Sequence, residues 1–465
     1  MSRRYDHTRL LSALELAYRA RNPRSQRADR QARQILIDGF SHGARACKPF
    51  TPRTVRSEGA YITDLDGHRM IDFWQGHYAN ILGHNPALIR ETLADRLRVG
   101  EGLHTGVLET QEAEYAQLLA DTLGAERVRL TTAGTLATLY AMMMARAFTK
   151  RTLVVKVAGG WHGANPLALK GVSRRPDDGY DQVDSAGIGR AADQDILVTR
   201  FNDADALEAL FQRYGDQIAC FIFELCPSQA GFIAATPEYV RAARELTERY
   251  GALLIADEVI TGFRFCAGGL QRLYGLRPDL TTLGKIIGGG MPISAVAGRA
   301  DVMASISQDA RPRVWFNGGT FSAHPLSLLA GRAMIEYLIA EAPRVYPEIG
   351  KKGARLRGGI DQIMVDRGID ARTTGHPNAA TGSSSLGGLF FALRDDVHPT
   401  CAEELTDPAR CDVIMVEQVL KLYLLLQDVH IMHGLGVLAT SHSDQDIDHV
   451  LGAFDGFCHW LRRFD

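Results

Sequence analysis

A lysine and an aspartate are the side chains of this sequence whose types and surroundings are best suited to chemistry. Lys285 lies in a glycine-rich segment, with glycines at positions 284 and 288–290. Asp257 ends the run 252–256, which is apolar, rich in branched residues and of strand length. A primary amine can condense with an aldehyde, and a buried carboxylate can keep a ring nitrogen protonated. Either residue alone would more often be a solvated side chain.

The strand before Asp257 predicts how these groups are positioned. Open α/β sheets bind ligands at the carboxyl ends of their strands, where Asp257 would lie. Side chains alternate along a strand, so Asp257 and Val259 should share one side while Glu258 takes the other. One side then offers a charge and an apolar platform. We interpret Lys285 and Asp257 as catalytic residues of a pyridoxal phosphate site, with Val259 as a further cofactor-binding residue.

Three segments, in order along the chain, carry a resemblance to a known family. They are 257–264 (Asp-Glu-Val-Ile-Thr-Gly-Phe-Arg), 284–292 (Gly-Lys-Ile-Ile-Gly-Gly-Gly-Met-Pro) and 318–326 (Gly-Gly-Thr-Phe-Ser-Ala-His-Pro-Leu). The chain resembles the class III pyridoxal phosphate-dependent aminotransferases, in the branch of glutamate-1-semialdehyde 2,1-aminomutase. The resemblance runs from about Ser25 to the segment 441–448 and leaves the first two dozen residues as an extension. It implies an α/β protein of fold type I, with a mostly parallel central sheet in a large domain and a smaller C-terminal α+β domain.

The resemblance also implies which residues hold the cofactor. Gly134 and Thr135 match the phosphate-binding segment, and the N-terminus of a helix offers free N–H groups to an anion. Trp161 and His162 match an aromatic-His-Gly segment whose ring stacks on the cofactor. Glu224 matches an acid at a strand end near the cofactor. The alternatives are a capping turn, a core tryptophan, a structural histidine and a salt-bridge carboxylate.

Two further matches concern the partner subunit and the substrate. Thr320 matches a residue that reaches the phosphate in the neighbouring subunit, which implies a homodimer. Arg45 is the nearest counterpart of an arginine that binds the substrate carboxylate, a role that suits a bidentate contact. A threonine that caps a turn and a surface arginine are the alternatives. The segment 74–80 lies where relatives line the substrate entrance, and its polar and aromatic residues suggest a polar or carboxylated substrate.

Ala133 and Leu136 depart from the family pattern, which usually has a serine and a glutamate at these positions. We therefore expect an aminotransferase that moves an amino group from an amino acid, including a β-amino acid, to a keto acid or an aldehyde through a Schiff base on Lys285. An aminomutase that moves the group within one semialdehyde molecule is the alternative. A protein that keeps the fold only for binding is a third interpretation, against which the presence of both Lys285 and Asp257 argues.

The elements that must position these residues alternate along the middle of the chain. Strands are predicted at 128–132, 153–157, 196–201, 218–224, 253–257 and 280–283. With helices between them, they favour a mostly parallel sheet. A hairpin turning at Asp66 and Gly67 precedes this region, and a long helix, a Gly/Ser-rich loop at 373–388 and a strand at 389–393 follow it. We predict a helical segment and hairpin at 1–72, a cofactor-binding domain at 73–330 and a small domain at 331–465.

Charge and composition limit the partners, location and metal content that we expect for the protein. The formal charge of the 465 residues is -2, which gives no electrostatic case for nucleic acid or an anionic membrane as partner. The sequence lacks an apolar stretch of the ~20 residues that span a bilayer and a signal-peptide core, so we expect a cytoplasmic protein. Seven cysteines, without a Cys-x-x-Cys pair, predict reduced thiols. No His-Glu-x-x-His spacing occurs, and we expect no metal.

Overall fold

A computed structural model describes residues 5–172, 180, 182–376, 384–394 and 396–464 of the chain. Positions 377–383 of the predicted Gly/Ser-rich loop lie outside these residues. The chain begins with α1 (His7–Arg21) and α2 (Pro23–Ala32). Asp6 caps α1 by accepting hydrogen bonds from the second and third N–H groups of the helix, at 3.1 and 3.2 Å. The N-terminal extension seen in the sequence therefore contains a capped helix from His7 to Arg21.

A small antiparallel sheet follows, with β1 (Thr54–Glu58), β2 (Tyr61–Asp64) and β3 (Arg69–Asp72). The hairpin between β2 and β3 turns through Asp66 and Gly67, as predicted. Gly67 has a φ of 98°, which a residue with a side chain rarely adopts. This hairpin leads the chain directly into the region that carries the candidate site.

The central sheet has seven strands in the order β4-β10-β9-β8-β7-β5-β6. Their bounds are β4 (Arg127–Thr131), β5 (Leu153–Val157), β6 (Ile196–Thr199), β7 (Ile218–Phe223), β8 (Leu253–Asp257), β9 (Leu280–Leu283) and β10 (Ser294–Gly298). β10 runs antiparallel to both of its neighbours, whereas the other pairs are parallel. The prediction of a mostly parallel sheet is confirmed. Every residue of β8 is buried, because helices cover both faces of the sheet.

Helices lie before, between and after these strands: α3 (Gln75–Tyr78), α4 (Ala87–Arg98), α5 (Thr110–Leu123), α6 (Gly134–Thr149), α7 (Arg190–Gln194), α8 (Ala204–Tyr214), α9 (Pro237–Tyr250) and α10 (Ala300–Met303). α3 is a single turn whose four residues have positive φ, as in a left-handed helix. The ends of α9 follow simple rules, with Thr236 as N-cap, Pro237 in the first turn and Gly251 at a φ of 65° after the last turn. These ends aim the chain into β8 and so bring Asp257 to the edge of the sheet.

The last part of the chain is helical with short strands. Its helices are α11 (Pro325–Ala340), α12 (Ala342–Asp366), α13 (Ala402–Thr406), α14 (Lys421–Leu426) and α15 (Asp444–Leu461), and its strands are β11 (Ala371–Thr373), β12 (Leu386–Gly387), β13 (Leu389–Phe391), β14 (Val429–His430) and β15 (Gly436–Val437). β11 pairs with β13 and β12 with β15, both antiparallel. β14 joins the first sheet, parallel to β3. Among the described residues, no helix is long and apolar enough to cross a membrane.

The two ends of the chain share one hydrophobic core. Leu10, Leu14 and Tyr18 of α1 are buried in the same cluster as residues of α12, α14 and α15, such as Leu356 and Phe454. The spacing of the three α1 residues places them on one face of the helix. The boundaries proposed at 72/73 and 330/331 stay a prediction.

Candidate active site

Asp257 lies at the end of β8 and is held on both carboxylate oxygens. Oδ2 accepts a hydrogen bond from Nδ1 of His162 at 2.7 Å, and Oδ1 accepts from Oγ1 of Thr282 at 2.9 Å and from the N–H of Val259 at 3.1 Å. The Asp257 and His162 side chains are 2% and 0% exposed. Burial lowers the pKa of His162, against the opposing effect of Asp257. A neutral His162 therefore donates to a fixed, water-excluded carboxylate.

Lys285 follows the neighbouring strand, β9, and opens a short turn that ends at Gly288. Its φ is 52°, an uncommon value for a residue with a side chain. Burial lowers the pKa of the Lys285 amine, although the charges of Asp257 and Glu224 act in the opposite direction. An amine with a lowered pKa is a better nucleophile and base near neutral pH. The structure thus brings the two residues first identified from the sequence into one electrostatic environment.

Glu224 follows β7 and lies beside the same group of charges. Its Oε1 accepts a hydrogen bond from the N–H of Trp161 at 2.8 Å. Burial, followed by the charge of Asp257, raises the pKa of Glu224 to about 8, and the opposing effects of Lys285 and Lys156 are smaller. Glu224 therefore carries a proton at neutral pH. The role of Glu224 near the cofactor stays a prediction.

Gly134 and Thr135 open α6, and glycines let the backbone pack closely around this helix end. A Cβ on Gly134 would lie 2.9 Å from Cγ1 of Val259, and one on Gly163 would lie 2.5 Å from Oγ1 of Thr135. Ala133 occupies the N-cap without a side-chain hydrogen bond. The first N–H groups of a helix have no partner within it. The end of α6 therefore presents free donors and a partial positive charge, as an anion requires.

Three of the predicted residues are half-buried or exposed. Trp161 is half-buried in the loop after β5. Thr320 is exposed, and its carbonyl accepts a hydrogen bond from Oγ1 of Thr105 at 2.7 Å. Arg45 is also exposed, and its Nε lies 3.4 Å from Nε2 of His77. The roles given to these three residues stay predictions.

Sequence reasoning missed two of the residues that shape the site. Thr282 reaches Asp257 because β8 and β9 pair in parallel with these residues opposite each other, a register that the sequence did not reveal. His77 is the other, although the segment 74–80 had been singled out as a substrate entrance. Nothing in its local pattern separates it from the other histidines of the chain.

The arrangement fits pyridoxal phosphate. Val259 lies between the two glycine-rich parts of the site, since a Cβ on Gly134 would be 2.9 Å and one on Gly284 would be 3.2 Å from its Cγ1. An apolar side chain between an anion cradle and the lysine segment is a suitable platform for a planar ring. With the cofactor bound, Asp257 would offer a negative charge to the ring nitrogen, and Lys285 would offer the amine. The donor set therefore matches each chemical group of the cofactor.

Comparisons with known proteins agree with this fit. The sequence model of the class III aminotransferases matches residues 43–371. A glutamate-1-semialdehyde 2,1-aminomutase of Desulforudis audaxviator is 35% identical over 438 residues, which cover 92% of this chain and 96% of that protein. The structure of a β-phenylalanine aminotransferase from Variovorax paradoxus is similar with a TM-score of 0.84 and 30% identity, and 98% of each chain is covered.

A third comparison includes the cofactor itself. A transaminase structure with pyridoxal phosphate bound has a TM-score of 0.81 and 27% identity, covering 95% of this chain and 98% of that one. The matched family segment spans most of the chain and includes Lys285, Asp257 and the helix end at Gly134. The chain therefore belongs to the class III aminotransferases, which are enzymes that depend on pyridoxal phosphate.

Proposed function

We propose that this protein is a transaminase that moves an amino group from an amino acid, including a β-amino acid, to a keto acid or an aldehyde. The observation that carries the proposal is the desolvated Lys285 amine beside a carboxylate, Asp257, that hydrogen bonds hold on both oxygens. A nucleophile with a lowered pKa and a fixed counter-charge are what amine transfer needs.

Pyridoxal phosphate, when bound, supplies an electron sink for the bonds of the carbon that bears the amino group. In our proposal Gly134 and Thr135 bind its phosphate, while Trp161 and Val259 lie against its ring. Asp257 keeps the proton on the ring nitrogen, and His162 keeps Asp257 in position. These residues bind and orient the cofactor.

Lys285 and Glu224 handle protons in the proposed reaction. The Nζ of Lys285, with its lowered pKa, takes the proton from the carbon that bears the amino group and returns a proton to the product. Glu224 carries a proton at neutral pH and donates a hydrogen bond where an ionised acid could only accept one. The burial of both groups excludes water from the transfer.

The nature of the substrate is supported by two observations of different kinds. Arg45 lies near the site on an exposed segment, where its guanidinium can bind a carboxylate. The similar protein of Variovorax paradoxus is a β-phenylalanine aminotransferase. The departures at Ala133 and Leu136 also favour a transaminase, because they change the segment that flanks the phosphate cradle.

An aminomutase is the second candidate function. The aminomutase of Desulforudis audaxviator is 35% identical to the chain, and both chains are covered almost completely. Such an enzyme converts its semialdehyde without an external amino donor, whereas a transaminase stops after one half-reaction. Turnover of glutamate-1-semialdehyde by the pyridoxamine phosphate form, with no other amine present, would establish the aminomutase.

A donor-acceptor screen tests the proposal directly. We expect α- and β-amino acids, combined with keto acids or aldehydes, to give sustained turnover that product analysis identifies. Lys285→Ala is the control, and it should lose both turnover and the visible absorbance of the lysine-bound cofactor. The transaminase proposal is wrong if no donor converts the cofactor to its pyridoxamine form, or if Lys285→Ala leaves turnover intact.

We also infer a homodimer in which Thr320 serves the site of the neighbouring subunit. Large apolar side chains lie exposed in the two chain segments that carry Thr320 and its hydrogen-bond partner Thr105: Leu103, Leu108, Trp315 and Phe321, of which Leu108 is 95% exposed. An apolar patch of this kind is typical of a surface that another chain covers. Sedimentation should give a dimer, and Leu108→Asp should shift it towards the monomer; a parent protein that sediments as a monomer would contradict the inference.

A cytoplasmic location is our proposal for where the enzyme works. All seven cysteines are free thiols, which suits a reducing compartment. Cell fractionation followed by immunodetection would test this location.

A further inference from the structure

The backbone of the turn α3 is left-handed. Residues 75–78 all have positive φ, with 46° at Gln75, 64° at Gly76, 57° at His77 and 70° at Tyr78. Only one of them is a glycine, and left-handed turns are sterically unfavourable for the others. Such a conformation persists only where surrounding groups enforce it, and it is found most often at functional sites.

Asp72 holds the start of this turn. Its carboxylate accepts hydrogen bonds from the N–H groups of Trp74 and Gln75, both at 2.9 Å. The rings of His84 and His430 contact the same carboxylate, each at 2.7 Å. A buried carboxylate with donors from several directions is rigid, so the direction in which the chain enters the turn is fixed.

Arg264 holds the end of the turn. This arginine is 1% exposed, and its guanidinium donates to the carbonyl oxygens of Tyr78 and Leu438. Burial lowers the pKa of Arg264 to about 9, because a cation is unfavourable away from water. Two buried charged side chains, Arg264 and Asp72, therefore hold this one short turn.

The turn directs His77 towards Arg45 and Lys285. Nε of Arg45 lies 3.4 Å from Nε2 of His77, and the ring centroids of His42 and Trp74 lie 4.6 and 4.5 Å from that of His77. Burial, followed by the charges of His42, Arg45 and Lys285, lowers the pKa of His77 to about 3. Its ring is therefore neutral, and its Nε2 accepts the hydrogen bond of Arg45.

We propose that His77 determines specificity in the substrate site: with Arg45 it binds the substrate carboxylate, and it takes up one proton from solvent when the carboxylate arrives. This inference rests on the proposed function for the class of ligand and names a residue of that same site. His77 is part of the binding machinery and takes no part in bond breaking at the reacting carbon.

The charges around His77 explain why binding and protonation should be coupled. The groups that act on its pKa are His42 and Arg45 from the segment before β1 and Lys285 from the turn after β9. Each disfavours a proton on the ring. Together with burial, these groups keep the ring neutral in the free site; a carboxylate placed between Arg45 and His77 adds a negative charge that favours a proton on Nε2, which then becomes a second donor to the anion. Arg45 then exchanges its contact with His77 for the carboxylate.

The test uses a carboxylate that cannot react, namely 3-phenylpropanoate, with the cofactor-loaded enzyme. Calorimetric titration at pH 6.5 in two buffers of different ionisation enthalpy measures the protons taken up per molecule bound. We expect close to one proton for the parent enzyme and close to none for His77→Asn, with binding about 10-fold weaker. Asparagine tolerates the left-handed region, so this variant keeps the turn.

Controls separate His77 from its neighbours. His42→Asn should keep the proton uptake, as should His459→Gln on the exposed face of α15. Thermal unfolding and the visible cofactor absorbance of His77→Asn should match those of the parent enzyme. The inference is overturned if His77→Asn takes up as many protons as the parent, if His42→Asn alone abolishes the uptake, or if 3-phenylpropanoate does not bind.

The outcome can be separated from that of the proposed function. If the enzyme takes up a proton that depends on His77 but does not catalyse transamination, the proposed reaction is wrong and the anion site stands. Transamination with proton uptake that does not depend on His77 would remove this inference alone.

Discussion

Glu224 should make the stability of the cofactor-free protein depend on pH with a sign opposite to that of an ordinary paired acid. Its pKa is raised from the value of 4.5 to about 8, chiefly by burial. In the unfolded chain this carboxyl loses its proton above pH 4.5, while in the folded protein it keeps the proton until about pH 8. The folded state therefore binds one more proton in this window, and stability falls as the pH rises through it.

The magnitude follows from the shift. One pKa unit corresponds to about 1.4 kcal/mol, so the free energy of unfolding should fall by about 1.4 kcal/mol for each pH unit inside the window. Between pH 5.5 and 7.5 the contribution of Glu224 is about 2.7 kcal/mol. Glu224→Gln keeps the shape and a neutral side chain but removes the titration. Relative to the parent protein, this variant should become more stable by that amount as the pH rises.

Urea unfolding of the cofactor-free parent and Glu224→Gln proteins, followed by circular dichroism at pH 5.5, 6.5 and 7.5, measures the difference. Glu238→Gln is the matched control, since Glu238 is 70% exposed on α9 and the same change there removes a carboxylate that lies in water. The reasoning would be refuted if the free energies of unfolding of the parent and Glu224→Gln proteins differed by the same amount at all three pH values. That result would mean that Glu224 is ionised in the folded protein at neutral pH.

Three further predictions concern the cofactor. Asp257→Asn should lower kcat on the order of 10²–10³-fold at saturating cofactor, because a neutral amide cannot stabilise a protonated ring nitrogen; steady-state assays check this, and an unchanged kcat would contradict the role of Asp257. Gly134→Ala should weaken pyridoxal phosphate binding about 10-fold, since its Cβ would lie 2.9 Å from Val259, and equilibrium dialysis showing equal affinity would contradict the cradle. Thr320→Ala should weaken cofactor binding in the neighbouring subunit. A mixed dimer of one Thr320→Ala subunit and one Lys285→Ala subunit should therefore recover activity at limiting cofactor, because one of its two sites combines an unchanged Lys285 with an unchanged Thr320 from the other subunit. No recovery would place Thr320 outside the neighbouring site.

The central sheet and its ligand edge could be predicted because the relevant signals are local. Strand-length apolar runs were sufficient to predict β8 and to place Asp257 at its carboxyl end, whereas Val259 lies in the turn after the strand, where strand alternation does not apply. The contact between His162 and Asp257 could not be predicted, because the order of β5, β7 and β8 brings together residues far apart in sequence. The left-handed turn α3 was also missed. Its conformation depends on Asp72 and Arg264 from other elements and opposes the preferences of its own residues.

The shared core of the two chain ends has a consequence for protein synthesis. The core that buries Leu10 and Leu14 is complete only when α14 and α15 exist, and β3 gains its neighbour β14 only when residue 430 has been made. At a translation rate of about 5–20 residues per second, the first helix waits on the order of 20–80 s for that core. During this time an apolar helix face and an unpaired strand edge are exposed near the ribosome. The nascent chain should therefore depend on holding chaperones more strongly than its near-neutral, well-packed final form would suggest.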